Sequence, residues 1–184
     1  MDFKNKFSLL NYNSLKLNCS AHTFCTVSNE LQCLEAFRHA KANNLKVMPL
    51  GLGTNIIIPD TLNRLVVKNN LKGVTEEKNT LKVSSGENWH DLVIWTVKKG
   101  LFGLENLALI PGTVGAGPIQ NIGAYGREIS EFIVSVDVFD LDSLEKLTLN
   151  NNECNFKYRD SIFKKANKYF ITSVNLRLNH IDRP

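Results

Sequence analysis

At 184 residues, with 43% hydrophobic and 22% charged side chains, the chain is sized for one large domain or two small ones, and this makeup excludes disorder and fibrous repeats. Its formal charge of +4 is spread along the chain, and the longest basic cluster, residues 157–168, is broken by Asp160 and apolar residues, so no nucleic-acid partner is expected. No stretch approaches the roughly 18 apolar residues of a membrane helix. The N-terminus reads without an export signal, so no membrane partner is expected and the cytoplasm is the expected compartment. Cys19, Cys25, Cys33 and Cys154 form no CxxC pair, and His22, His39, His90 and His180 are scattered. The cysteines therefore read as reduced, buried small residues, and no metal is expected.

In chain order, an extended stretch at residues 23–27 leads into a helix that Asn29 caps and Glu30 opens. Leu31, Leu34, Phe37 and Ala40 fall on one helical face and read as its core stripe. The run Val47-Met48-Pro49-Leu50 then completes a βαβ unit, and Ile56-Ile57-Ile58 and Leu65-Val66-Val67, short and β-branched, read as buried strands. A border near Asn69 divides a first subdomain, residues 1–68, from a second, residues 69–184. The second opens with a strand at residues 81–84. Gly86-Glu87-Asn88 then introduces a helix with Trp89, Leu92, Val93, Thr96 and Val97 on one face, and Gly100 stops it. Trp89 and Trp95 read as packing residues. From Phe132 onward, alternation through Val134, Val136 and Val138, and again over residues 170–178, predicts half-buried strands of an antiparallel or mixed sheet.

Two glycine-rich segments interrupt these elements. Leu50-Gly51-Leu52-Gly53-Thr54-Asn55 follows a strand but precedes an apolar run instead of an amphipathic helix, and it lacks a third glycine. A Rossmann fingerprint is thereby excluded. A nest of backbone N–H groups, helped by the Thr54 hydroxyl and Asn55 amide, would suit a phosphate. A plain turn, in which the glycines only supply positive φ, accounts for this loop equally well. The second segment, residues 111–126, holds five glycines and no charge in 16 positions. Its small residues permit close backbone approach to a flat ligand, and Thr113, Gln120 and Asn121 offer polar groups.

Taken with Ser85-Gly86-Glu87-Asn88-Trp89, Gly103-Leu104-Glu105-Asn106-Leu107 and Tyr158-Arg159-Asp160-Ser161, these segments closely resemble the UDP-N-acetylenolpyruvoylglucosamine reductase (UDP-N-acetylmuramate dehydrogenase) family over nearly the whole chain. The resemblance implies an α+β fold of the PCMH-type, vanillyl-alcohol-oxidase-like class, in which two packed subdomains hold FAD. It implies that NADPH reduces the flavin, which then reduces UDP-N-acetylglucosamine enolpyruvate, a UDP-sugar, in peptidoglycan synthesis. It places cofactor contacts at Gly51, Gly53, Thr54, Asn55, Pro111, Gly112, Thr113, Gly115, Ala116, Asn121, Ile122, Gly123 and Ala124; Tyr125 and Tyr158 read as substrate or flavin contacts, with a core aromatic role as the equal alternative. The family's catalytic arginine matches Arg159, whose planar fork suits the carboxylate on which charge builds during hydride addition. An ion pair with Asp160 is the competing role.

Leu52 and Gly117 depart from the residues common in relatives. A larger departure is that the family's C-terminal substrate domain, with its serine proton donor and late glutamate, has no counterpart before Pro184. The chain is expected to be the N-terminal part of a complete reductase, with a separate C-terminal fragment as a partner. The alternatives are a flavin-binding module without turnover and an FAD-dependent alcohol or sugar oxidase.

Overall fold

The computed structural model describes residues 1–77, 80–166 and 168–180. The chain forms two compact units, Met1–Leu71 and Lys72–Pro184. The last residues of the chain, 181–184, lie outside the described residues.

The first unit contains β1 (Lys4–Ser8), β2 (Ser20–Val27), α1 (Glu30–Ala42), β3 (Val47–Leu50) and β4 (Thr61–Asn69). Its sheet runs β1-β2-β4-β3, with β1 antiparallel to β2 and with β2 and β3 both parallel to β4. Because β4 is paired on both sides, Leu65, Val66 and Val67 are all buried, which is why the run reads as continuously apolar. The Asn29 side chain caps α1, accepting from the Gln32 N–H at 2.9 Å.

Two expectations for this unit fail. The buried face of α1 is Cys33, Ala36, Phe37 and Ala40, while Leu31 is 79% exposed. Phe37 and Ala40 of the expected stripe are in the core and Leu34 is half-buried, Cys33 and Ala36 complete the contact, and the leucine in the first turn lies off that face. Ile56-Ile57-Ile58 forms no strand. It belongs to the link from β3 to β4, with Ile57 82% exposed, Ile58 buried in the core with Leu9, Phe24 and Leu50, and Ile56 partly buried against that core. The isoleucine run pins a loop through Ile56 and Ile58 and makes no ladder.

The second unit contains β5 (Val74–Glu77), β6 (Thr80–Ser84), α2 (Trp89–Lys98), β7 (Leu101–Phe102), β8 (Gly123–Ala124), β9 (Arg127–Glu128), β10 (Ile133–Asp140), β11 (Lys146–Asn150), α3 (Ile162–Ala166), β12 (Tyr169–Leu176) and β13 (Asn179–His180). Its main sheet has the order β11-β10-β12-β6-β5 and is antiparallel throughout; β7–β13 and β8–β9 form two small ribbons. Asn88 caps α2 through the Asp91 N–H at 3.1 Å, and Gly100, at φ +73°, ends it at the expected place. Trp89 is buried and donates its indole N–H to the Leu107 carbonyl at 2.7 Å, a packing residue with a satisfied polar atom.

The central strands are more deeply buried than half. In β10 not only Val136 and Val138 but also Asp137 and Phe139 are covered. A buried carboxylate is costly unless its oxygens are satisfied. Asp137 meets that condition across three neighbouring strands, with Thr148 on β11 at 2.7 Å, Ser173 on β12 at 2.7 Å and the Lys82 ammonium on β6 at 2.8 Å.

Candidate functional site

In the first unit, the loop after β3 is held from within by its carbonyls. Lys68, on β4, donates its ammonium to the Gly51 carbonyl at 2.6 Å, and the Ser14 N–H reaches the Gly53 carbonyl at 2.9 Å. A trans peptide points its N–H opposite to its C=O. The N–H groups of Leu52 and Thr54 are therefore turned away from those two anchors, the orientation an anion-binding nest requires. Gly53 has φ +67°, and a Cβ there would stand 2.0 Å from the Tyr12 carbonyl oxygen, so only glycine fits. The Tyr12 segment is itself rigid, because buried Asn13 donates to the Leu9 and Leu17 carbonyls at 2.8 and 3.1 Å and accepts from the Leu17 N–H at 2.9 Å. Thr54 is half-buried and Asn55 exposed.

Sequence reasoning missed Lys68 and Asn13. Lys68 had a signal, a charge directly following the apolar Leu65-Val66-Val67 in a central strand. Asn13 had none, since its partners are backbone groups of a loop.

In the second unit, the segment over residues 111–126 is moulded largely onto the protein itself. The Gly112 carbonyl accepts from the Trp89 N–H at 3.1 Å, Val114 N–H reaches Glu87 O at 2.9 Å, and Gly115 N–H reaches Ser85 O at 2.9 Å. A Cβ on Gly115 would lie 2.5 Å from Ser85 Cβ, and one on Gly117 would lie 2.8 Å from Ile129 Cδ1. These two glycines permit close packing on the unit's own core, and Ile122 is buried in that core. Thr113 is buried, paired to Asn88 in an isolated bridge. Pro111 is exposed, and Ala116, Gly123 and Ala124 are half-buried.

The Asn121 side chain, read from sequence as a ligand contact, is spent inside the fold. At φ +46° and 1% exposed, it donates to Glu128 Oε2 at 2.7 Å and to the Lys157 carbonyl at 3.2 Å, and it accepts from the Ser130 N–H at 3.1 Å. It is a clamp between the glycine segment and the turn that carries Arg159.

That turn is a two-residue hairpin, closed by Lys157 N–H to Asp160 O at 3.0 Å and Asp160 N–H to Lys157 O at 3.1 Å. Tyr158 and Arg159 occupy its tip, with Tyr158 82% exposed and Arg159 at φ +53°, where glycine is usual. Ser161 fastens its base, donating to the Ile119 carbonyl at 2.7 Å. The second exposed tyrosine, Tyr125 at 87%, sits with Gly126 at the tip of the β8–β9 hairpin; both have positive φ, the signature of a type I′ turn. The two hairpins meet where Arg159 Nη2 donates to the Gly123 carbonyl at 3.0 Å. Among the described residues this carbonyl is the single hydrogen-bond partner of the guanidinium, which also lies 5.9 Å from the centre of the Tyr158 ring. Among the described residues there is also no group of three or more His, Cys, Asp and Glu placed to hold a metal ion, and no helix long and apolar enough to cross a membrane.

One unit with a mixed sheet and a glycine loop after β3, and one with an antiparallel sheet and a charge-free glycine segment, fit the PCMH-type, vanillyl-alcohol-oxidase-like fold. The fold agrees with that of UDP-N-acetylenolpyruvylglucosamine reductase from Thermus caldophilus, with a TM-score of 0.80 at 24% identity, covering 100% of this chain and 63% of that one. It also agrees with alkyldihydroxyacetonephosphate synthase, with a TM-score of 0.71 at 14% identity, covering 92% of this chain and 36% of that one. The profile of the FAD binding domain family matches residues 21–144, and the chain belongs to that family. In sequence it is 43% identical over 181 residues to UDP-N-acetylenolpyruvoylglucosamine reductase of Blochmanniella pennsylvanica, covering 96% of this chain and 52% of that protein. To the enzyme of the same name from Aliivibrio fischeri it is 43% identical over 174 residues, covering 91% of this chain and 50% of that protein. The chain thus spans about half the length of the curated relatives it matches.

Proposed function

We propose that this chain holds FAD and forms the flavin-binding part of a UDP-N-acetylenolpyruvoylglucosamine reductase, which uses NADPH to convert UDP-N-acetylglucosamine enolpyruvate to UDP-N-acetylmuramate for peptidoglycan synthesis in the cytoplasm. The observation that carries this reading is the docking of the Arg159 turn onto the glycine segment through the Gly123 carbonyl. The residues suit the cofactor. The first loop turns N–H groups outward around a position where a Cβ has no room, which suits a pyrophosphate. In the second unit, Pro111, Ala116, Gly123 and Ala124 offer backbone and small side chains to a flat ring, whereas Gly112 is buried against Trp89. Asn121, Gly115 and Ile122 shape that surface from beneath.

FAD, when bound, supplies a hydride carrier between NADPH and the enolpyruvyl carbon. The chain's own part in the chemistry is electrostatic. Hydride addition to an enol ether conjugated to a carboxylate moves negative charge onto that carboxylate. Arg159 presents a cationic guanidinium with five N–H donors in a rigid fork. With one nitrogen fixed on the Gly123 carbonyl, the remaining donors can grip both carboxylate oxygens in a set orientation. Tyr125 and Tyr158 are the proposed contacts to the rest of the UDP-sugar, a reading their exposure on the two hairpin tips supports.

A second reading, supported by the match of residues 21–144 to the FAD binding domain family, is a flavin-binding module that does not turn over. Purified protein incubated with FAD and desalted should retain the visible flavin spectrum under either reading; a colourless protein overturns both. Oxidation of NADPH that depends on UDP-N-acetylglucosamine enolpyruvate supports the first reading. Its absence from flavin-loaded protein supports the second.

A further inference from the structure

The first turn of α2 is fastened to the approach to the glycine segment at successive points. Trp89 contributes two, its indole N–H to the Leu107 carbonyl at 2.7 Å and its backbone N–H to the Gly112 carbonyl at 3.1 Å. Asn88 adds a bridge to Thr113. Between these anchors stands Leu109, which is unusual in two respects. Its φ is +62°, the left-handed region that a γ-branched residue enters at a cost, and its side chain is 76% exposed, so no core contact repays that cost. What holds it is a side chain from the same helical turn: the Leu109 N–H donates to His90 Nδ1 at 3.2 Å. An imidazole nitrogen accepts only when it carries no proton, so the proton of neutral His90 is on Nε2.

The geometry points to His90 as a positioning residue that locks Leu109 in its left-handed conformation and thereby sets the path of Ile110-Pro111-Gly112 into the flavin-binding segment. Without that acceptor, Leu109 is free to relax to an ordinary φ, and the chain between the Leu107 and Gly112 anchors changes course immediately before the first residues assigned to the cofactor. His90 itself touches no cofactor in this role. Its effect on FAD rests on the proposed function, whereas its effect on Leu109 does not.

The test exploits which atom of the ring accepts. Asparagine places Oδ1 where His90 carries Nδ1, and glutamine places its oxygen near Nε2 instead. His90→Asn therefore restores the acceptor, and His90→Gln and His90→Leu remove it. In ligand-free protein, hydrogen exchange at the Leu109 amide should accelerate about 3- to 10-fold in His90→Gln and His90→Leu, the range of one neutral hydrogen bond, and stay near wild type in His90→Asn. FAD dissociation constants, read from flavin fluorescence, should follow the same order. Equal acceleration in all three variants would mean that ring packing matters and the acceptor does not, which overturns the inference, as would unchanged exchange in His90→Gln. If wild-type protein fails to bind FAD, the functional reading falls, and Leu109 exchange alone still decides the role of His90.

Discussion

Arg159 and Gly123 lie 36 positions apart in sequence and meet through one hydrogen bond, guanidinium Nη2 to carbonyl oxygen at 3.0 Å. The bond joins the tip of one hairpin to strand β8 of the other and turns a mobile cation into an aimed one. Arg159→Lys keeps the charge but loses both the anchor and the second prong of the fork. For protein that turns over, kcat is expected to fall by about 10² to 10³. Flavin retention should be unchanged. Steady-state kinetics and flavin absorbance on the same preparation check this, and an unaltered kcat would remove Arg159 from the chemistry.

Asn121 makes that encounter possible, because it ties Glu128, Ser130 and Lys157 together beneath the two hairpins. Asn121→Ala leaves the part-buried Ser130 N–H without its acceptor and takes one donor each from Glu128 and the Lys157 carbonyl, at a cost of about 1–3 kcal/mol. Asn121→Asp retains the acceptor for Ser130 but sets a second carboxylate against Glu128 Oε2. Urea denaturation should show both variants destabilised. The aspartate variant should recover at mildly acidic pH, where one proton relieves the pair, and the alanine variant should not.

The sequence exposed most of the frame and part of the site. The helix cap at Asn29, the helix start after Asn88, the stop at Gly100 and the central run Leu65-Val66-Val67 are local signals, and the structure keeps them. Periodicity misled where two faces compete: the leucine in the first turn of α1 fits a helical stripe but points to water, and Cys33 and Ala36 form the contact. The glycine segments announced themselves by composition, but composition cannot separate a glycine that admits a ligand from one that admits a neighbouring backbone. Gly115 and Gly117 are of the second kind, pressed on Ser85 and Ile129. The role of Asn121 depends on partners 7, 9 and 36 residues away, so nothing local could reveal it.

Gly53 and Gly100 separate backbone strain from steric exclusion. Their φ values are nearly equal, +67° and +73°, but a Cβ on Gly100 meets nothing within 4 Å, and a Cβ on Gly53 would stand 2.0 Å from the Tyr12 carbonyl oxygen. Gly100→Ala should cost only the left-handed penalty, about 1–2 kcal/mol. Gly53→Ala should cost more than this, displace the loop and weaken FAD retention with it. Thermal melts and flavin binding of the two variants provide the comparison; equal losses would mean that the Tyr12 segment yields without consequence.

Three of the four cysteines should be silent in the native state. Burial pushes the thiols of Cys25, Cys33 and Cys154 up to about 12, and nearby carboxylates add to the effect: Glu35 at Cys25, Glu30 at Cys33 and Glu153 at Cys154. A thiol-specific reagent at pH 8 should modify these three only after denaturant is added, because the thiolate is the reactive form. Rapid native labelling of any of them would contradict the packing described.

Asp137 links acidity to stability. Burial alone would raise its pKa, but hydrogen bonds from Lys82, Ser173 and Thr148, together with the Lys82 charge, outweigh burial and hold it below the ordinary carboxylate range. A folded-state pKa below the unfolded value, near 4 for a free aspartate, stabilises the fold fully above that value. The contribution is lost as pH falls through the depressed folded pKa, because protonation there removes the charge that the three donors share. Wild-type stability from urea titrations should therefore decline steeply below about pH 4. Asp137→Asn brings an amide N–H toward groups that are themselves donors, so it should be less stable at pH 7. Its stability should also vary less with pH on the acid side. If wild type and Asp137→Asn lose stability with the same acid slope, then Asp137 is not the titrating group, and attention moves to Asp140, whose pKa is lowered as well: burial opposes the shift, but hydrogen bonds from Lys168 and the Asp142 and Ser143 N–H groups outweigh it.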